Sequence, residues 1–161
     1  GDERVLDCGC GGGANLAKFL ELLPDGHVTG LDYSSISLAK ACEVNCAAID
    51  EGRCTIMQGN VLKLPFYDDL FVTAFETVYF WPEIARCFAE VYRVLKHGGV
   101  FMITNETSGK TGSHEKWQKI VDGMSVYTGE ELKTMLMGAG FLRIEIDEDL
   151  KRDRLTVLAY K

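Results

Sequence analysis

The chain has 161 residues, with 17 Lys and Arg against 24 Asp and Glu, giving a net charge of −7. At 47% hydrophobic and 25% charged residues it has the balance of one ordinary soluble globular domain, which excludes disorder, collagen-like repeats and a membrane class. No apolar run approaches the roughly 20 residues of a spanning helix, Gly1-Asp2-Glu3-Arg4 lacks a signal-peptide charge pattern, and Lys and Arg are scattered. The expected partner is therefore neither a membrane nor a nucleic acid, and the expected location is cytoplasmic.

Strands and helices alternate along the chain. Arg4 to Cys8 reads as a strand running into Gly9-Cys10-Gly11-Gly12-Gly13, a turn that no helix or strand interior would accept. Ala14 to Leu23 has Leu16, Phe19, Leu20 and Leu23 at helical spacing and is stopped by Pro24-Asp25-Gly26. A second strand, His27 to Leu31, ends at Asp32. Ser34 or Ser35 can cap the next helix, whose apolar face includes Leu38, Ala41, Cys42 and Ile49. Cys54 to Met57 and Leu70 to Phe75 are the third and fourth strands. A helix from about Glu83 to Leu95 ends at His97-Gly98-Gly99, a glycine C-cap. Val100 to Thr104 is a fifth strand, and a polar loop, Glu106 to Ser113, leads to a helix around Glu115 to Val121. Thr128-Gly-Glu-Glu offers a capping box for another helix. Two alternating runs, Leu142 to Ile146 and Leu155 to Tyr160, close the chain as an antiparallel hairpin. This order predicts an α/β sheet, mostly parallel, with an antiparallel edge.

Six cysteines without an export signal read as buried free thiols in a reducing compartment. Cys42 and Cys46 could pair at i,i+4, but no second Cys/His pair at zinc spacing follows, so no metal site is expected.

The first glycine loop carries most of the chemistry. It lies between a strand and a helix at the carboxyl edge of a parallel sheet, where α/β sheets bind ligands. Its glycines allow a ligand close to the backbone and leave helix N-terminal amides as donors. Asp32 follows about 20 residues later, at a strand end, where a carboxylate can accept both hydroxyls of a ribose. The pattern implies a nucleoside-bearing cofactor. Gly9-x-Gly11-x-x-Ala14 also satisfies the dinucleotide fingerprint, so the loop alone does not choose between cofactors.

The rest of the chain does. Val-Leu-Asp-Cys-Gly-Cys-Gly-Gly-Gly (5–13), Val-Thr-Gly-Leu-Asp-Tyr-Ser (28–34), Gly-Asn-Val-Leu-Lys-Leu-Pro-Phe (59–66), Ala-Phe-Glu-Thr-Val-Tyr-Phe-Trp (74–81) and Arg-Val-Leu-Lys-His-Gly-Gly-Val-Phe (93–101) follow one another in order. Together they resemble the class I S-adenosylmethionine-dependent methyltransferases, of the small-molecule type, over nearly the whole chain. The resemblance implies a Rossmann-like doubly wound sheet of seven strands, order 3-2-1-4-5-7-6, with the seventh antiparallel. It implies S-adenosylmethionine as cofactor, with Asp7, Gly9, Cys10, Gly11 and Gly13 at its methionine end and Asp32 gripping the ribose. Tyr33 would pack on the adenine and Gly59-Asn60-Val61 would lie beside it. Asn60 stands where the family usually has Asp; either can accept from the exocyclic amine. Glu76 is similar to the residues that line the methionine moiety and face the substrate. The resemblance also implies upstream helices capping the cofactor, so that residues 1–161 form the cofactor-binding domain of a longer protein.

Methyl transfer from a sulfonium asks the protein mainly for proximity and orientation. A base is needed only where the nucleophile must lose a proton, and Glu76, Glu106 and His114 are the candidates. His27 and His97 read as structural. Tyr79 and Trp81 either wall a pocket or cover the core. The acidic charge, and the lack of an Asn-Pro-Pro-Tyr-like run after the fourth strand, favour a small-molecule acceptor. Two alternatives stand beside this reading. One is a nicotinamide-dependent dehydrogenase, for which Tyr92-x-x-x-Lys96 supplies a catalytic spacing. The other is a module that keeps the fold and the cofactor without turnover.

Overall fold

The computed structural model describes residues 3–66 and 71–161, together with all but the side chains of Ser113 and His114. Seven strands form one sheet: β1 (Arg4–Cys8), β2 (His27–Asp32), β3 (Cys54–Gln58), β4 (Phe71–Phe75), β5 (Val100–Asn105), β6 (Arg143–Asp149) and β7 (Arg154–Tyr160). Their order is β3-β2-β1-β4-β5-β7-β6; the first five are parallel, and β7 runs antiparallel between β5 and β6. The predicted start of the fourth strand at Leu70 lies outside the described residues.

Helices α1 (Ala14–Leu22), α2 (Ser35–Val44) and α3 (Cys46–Asp50) cover one region of the core, around Val5, Leu16, Val28, Leu38 and Cys54. Helices α4 (Ile84–Val94) and α6 (Gly129–Gly138) bury Phe88, Val91, Val94, Leu132 and Leu136 in the larger cluster. A strand covered on both sides has no polar face, and β2 is buried from Val28 to Asp32. In the larger cluster Trp81 stacks on Phe101 at 6.1 Å and 9°, and Phe88 meets Phe101 edge-on at 5.9 Å. Each such ring, buried, contributes roughly 1.5–3 kcal/mol. The edge strand β6 carries Arg143, Glu145, Asp147 and Asp149, charges that discourage further strand pairing.

In helix α5 (Ser113–Ile120) residues 115–120 are all exposed. Thr128 caps α6 as predicted: its hydroxyl accepts from the Glu131 N–H while the Glu131 carboxylate accepts from the Thr128 N–H at 2.8 Å.

Three expectations need correction. The helix after Ser34 is not continuous through Ile49. It breaks at Asn45, whose buried side-chain amide donates to the Ala41 carbonyl at 2.9 Å and to the Gly13 carbonyl at 3.1 Å, tying the break to the first loop. Cys42 and Cys46 are exposed, whereas Cys8, Cys10, Cys54 and Cys87 are the buried free thiols. In α2 the inward residues are Leu38 and Ala41, and in α3 the inward residue is Ala48, which leaves Cys42 and Cys46 on the solvent side. Finally, Gly98-Gly99 is not the cap of α4. The helix ends at Val94, Leu95 is extended, and Lys96 to Gly99 form a separate turn closed by Gly99 N–H to the Lys96 carbonyl at 2.8 Å.

Candidate active site

The strand order reverses between β1 and β4, and the loops leaving their carboxyl ends open a crevice there. A cavity of about 300 Å³ occupies it, within the size of small-molecule sites. Gly9, Asp32, Tyr33, Gly59, Asn60 and Val61 line it, all six expected from the sequence. Leu31, Thr77, Phe80, Trp81 and Pro82 complete the wall.

Backbone geometry builds the loop after β1. Gly9 N–H and Cys10 N–H both donate to the Leu31 carbonyl, at 2.7 and 3.1 Å, which folds the loop onto β2. Gly9 has φ +86, and a Cβ there would overlap the Thr77 side chain, so only glycine lets the β1 and β4 exits meet. Gly13, at φ +80, opens α1 with no side-chain cap, and a Cβ on it would reach Ala41 at 2.9 Å. The first-turn amides of α1 thus point toward the loop without a capping side chain.

Asp32 is buried, and two backbone donors hold its carboxylate: Gly11 N–H to Oδ2 and Ser34 N–H to Oδ1, each at 2.9 Å. Asp7, 1% exposed, lies beneath the loop and accepts from the Thr73 hydroxyl at 2.8 Å. Burial, with the Asp32 charge adding to it against the Thr73 hydrogen bond, pushes its carboxyl up to about 6. Cys10 turns its thiol into the core beside Gly30, where burial raises it to about 12, so any ligand contact of Cys10 is through its backbone. Asn60 uses Oδ1 to accept from the Leu62 N–H at 2.9 Å, shaping the turn after β3. That turn is fastened from α4, where Arg93 donates to the Leu64 and Phe66 carbonyls and Glu90 accepts from the Leu64 N–H.

At the exit of β4, Glu76 adopts a left-handed backbone, φ +55, with its N–H on the Thr104 carbonyl of β5 at 2.9 Å. The residue is exposed overall, but its carboxylate folds back to accept from the Tyr79 hydroxyl at 3.2 Å. Partial burial, then the neighbouring Glu106 charge, move it up to about 7, against the hydrogen bond from Tyr79. Of the two aromatic residues after β4, Trp81 takes both of the roles that the sequence left open and Tyr79 takes neither. Trp81 joins the core and the cavity wall at once, its indole N–H on the Thr77 hydroxyl at 3.2 Å, while Tyr79 is buried against Glu76. Glu106 is exposed just beyond β5. His114 belongs to α5, but its side chain lies outside the described residues. His27 bonds the Gly52 carbonyl and the Thr55 hydroxyl, a structural role. Among the described residues no group of three or more His, Cys, Asp or Glu could hold a metal, and no helix is long and apolar enough to cross a membrane.

Sequence reading missed Thr77, Phe80 and Pro82. Their signal was weak, since only their distance after β4 marks them. The Tyr92-x-x-x-Lys96 spacing is explained away by position: Tyr92 packs edge-on against Phe141 and Lys96 covers the Phe71 ring at the amino end of β4, at the opposite edge of the sheet.

Several known proteins are similar to this chain. Cycloartenol-C-24-methyltransferase of Arabidopsis thaliana is 28% identical over 162 residues, covering 94% of this chain and 48% of that protein. Cycloartenol-C-24-methyltransferase 1 of Oryza sativa subsp. japonica is 34% identical over 102 residues, covering 62% and 29%. The chain thus spans half or less of the length of these curated relatives. Phosphoethanolamine N-methyltransferase 2 of Haemonchus contortus, solved with S-adenosyl-L-methionine, shares the fold at a TM-score of 0.84 and 17% identity, over 99% of this chain and 49% of that one. The methyltransferase-domain family matches residues 5–99, from β1 to the turn before β5, and the chain belongs to that family.

Proposed function

We propose that the chain binds S-adenosylmethionine in the cavity between the β1 and β4 exits and transfers its methyl group to a small-molecule acceptor. The observation that carries this reading is the Asp32 carboxylate at the cavity wall, held by two backbone donors and with lone pairs left for the hydroxyls of a ribose. The residues fit the cofactor. The cavity is large enough for a nucleoside, Gly9 leaves the room a Cβ would fill, and α1 begins with uncapped amides suited to a carboxylate.

Tyr33, Gly59, Asn60 and Val61 would flank the adenine. Gly9, the Cys10 backbone, Gly11 and Gly13 would cradle the methionine end. The cofactor supplies a methyl group already activated on a sulfonium. Asp7 contributes a buried carboxylate beneath the loop, which favours positive charge above it. Glu76 is the base that takes a proton from the acceptor, with Glu106 beside it; His114 is the remaining candidate on α5. Residues 1–161 act here as one cofactor-binding domain. The small-molecule acceptor is supported by the relatives, whose names describe sterol and phosphoethanolamine methyltransferases.

Titration calorimetry on the full-length protein tests the reading. S-adenosylmethionine and S-adenosylhomocysteine should bind, NAD should not, and Asp32→Ala should weaken binding by about 1.5–3 kcal/mol, the range for hydrogen bonds to a charged group. Tight binding of NAD without either adenosyl ligand would refute it.

A further inference from the structure

Resting on that reading, we infer that Asn60 sets the base specificity of the cofactor site. It presents an amide N–H donor to the purine, so the base is held through a ring nitrogen and its exocyclic amine is not read by this side chain. Asn60 lines the cavity between Gly59 and Val61, just past β3. The residue is exposed, so its amide meets whatever enters there.

The turn decides which end of the amide faces the ligand. Asn60 Oδ1 accepts from the Leu62 N–H at 2.9 Å, and the Asn60 carbonyl accepts from the Lys63 N–H at 3.1 Å. A flipped amide would set its NH2 against the Leu62 N–H, donor against donor, so the backbone fixes the assignment. Oxygen and nitrogen sit on one planar carbon, and fastening the oxygen to the turn leaves the NH2 as the free end. That NH2 has no acceptor among the described residues, and neither has the Val61 N–H next to it in the turn. The turn is held at both ends. The Gly59 N–H donates to the Asp32 carbonyl at 3.0 Å, and a Cβ on Gly59 would reach Leu31 at 2.8 Å. Farther on, the Leu64 N–H donates to Glu90 at 2.9 Å, and Arg93 donates to the Leu64 carbonyl at 2.8 Å.

A carboxylate in this place would keep one oxygen on the Leu62 N–H and offer the second to an amine. Asn60 offers a donor instead, and the 6-amine of adenine is itself a donor. The complement of the Asn60 NH2 is a ring nitrogen of the base. Asp32, the carboxylate of the same wall, already accepts from the Gly11 and Ser34 N–H groups and keeps its other lone pairs for the ribose. The sequence expectation that Asn60 accepts from the exocyclic amine as Asp would therefore gives way to the opposite polarity.

The probes are S-adenosylhomocysteine and its analogue with hydrogen in place of the 6-amine, compared by calorimetry on the full-length protein. The two share every other group, ring nitrogens included, so their affinity ratio reports what reads the amine. In the wild type, loss of the amine should change affinity by less than about threefold. Asn60→Asp keeps an oxygen for the Leu62 N–H and should still bind the adenosyl ligand. There, loss of the amine should cost about tenfold or more, from the strength of hydrogen bonds to charged groups. A larger dependence on the amine in the wild type, a smaller one in Asn60→Asp, or loss of adenosyl binding in that variant overturns the inference and leaves the cofactor reading standing. Failure of the wild type to bind the adenosyl ligand removes the cofactor reading and this inference with it.

Discussion

Asp7 provides the sharpest link between the site and the stability of the fold. Its carboxyl is 1% exposed, has one side-chain donor at 2.8 Å, and rises from the ordinary 3.8 to about 6. An acid whose folded value is raised binds its proton more readily in the native state. Its contribution is therefore fully present below pH 3.8 and is lost as pH rises through about 6. The whole move corresponds to roughly 3 kcal/mol, of which about 1.4 kcal/mol falls between pH 5 and pH 8. Asp7→Asn keeps an oxygen for Thr73 but cannot ionise. Its unpaired amide N–H costs about 1–3 kcal/mol at every pH, so the absolute change at one pH is ambiguous and the slope is the useful quantity. Urea denaturation of wild type and Asp7→Asn at half-unit steps from pH 5 to 8 should show the variant gaining about 1.4 kcal/mol relative to wild type toward pH 8. Saturating S-adenosylmethionine, by adding positive charge above the loop, should flatten that difference. Parallel curves without ligand would refute the claim that burial governs Asp7. A buried carboxylate that costs stability at neutral pH is the kind of trade expected where a cation is to be held.

Gly9→Ala should destabilise the fold by about 1–3 kcal/mol, through the left-handed φ and the overlap with Thr77, and should abolish adenosyl-ligand binding, measured by thermal unfolding and calorimetry. Asn105→Leu, which removes a fully buried amide with no partner among the described residues, should stabilise the chain by about 1–3 kcal/mol in urea unfolding; a loss of stability would mean the amide is paired in solution. A maleimide reagent should label Cys42 and Cys46 in the native protein and leave Cys8, Cys10, Cys54 and Cys87 unmodified until it unfolds, read by mass spectrometry of the labelled peptides.

What sequence alone determined are the features written in short-range code. The glycine turn after β1, the cap at Thr128 with Glu131, the strand end at Asp32 and the alternation of elements each depend on neighbours within a few residues, so local periodicity and turn chemistry reveal them. The sheet order came from resemblance rather than from periodicity, because nothing local tells β7 to insert between β5 and β6. Tertiary structure decided the rest. The break at Asn45 is tied by its side chain to Gly13, 32 residues away, within a pattern that read as one continuous helix, and the exposure of Cys42 and Cys46 is set by how the two segments pack on the sheet. The raised carboxyl of Asp7 depends on burial beneath a loop and on Thr73, 66 residues away. Tyr79 is an aromatic residue after a strand until the fold brings Glu76, Glu106 and Thr107 around its hydroxyl. A single sequence records which side chains are available; burial and long-range hydrogen bonds, which set proton affinity and aim, exist only once the sheet has brought its carboxyl edges together.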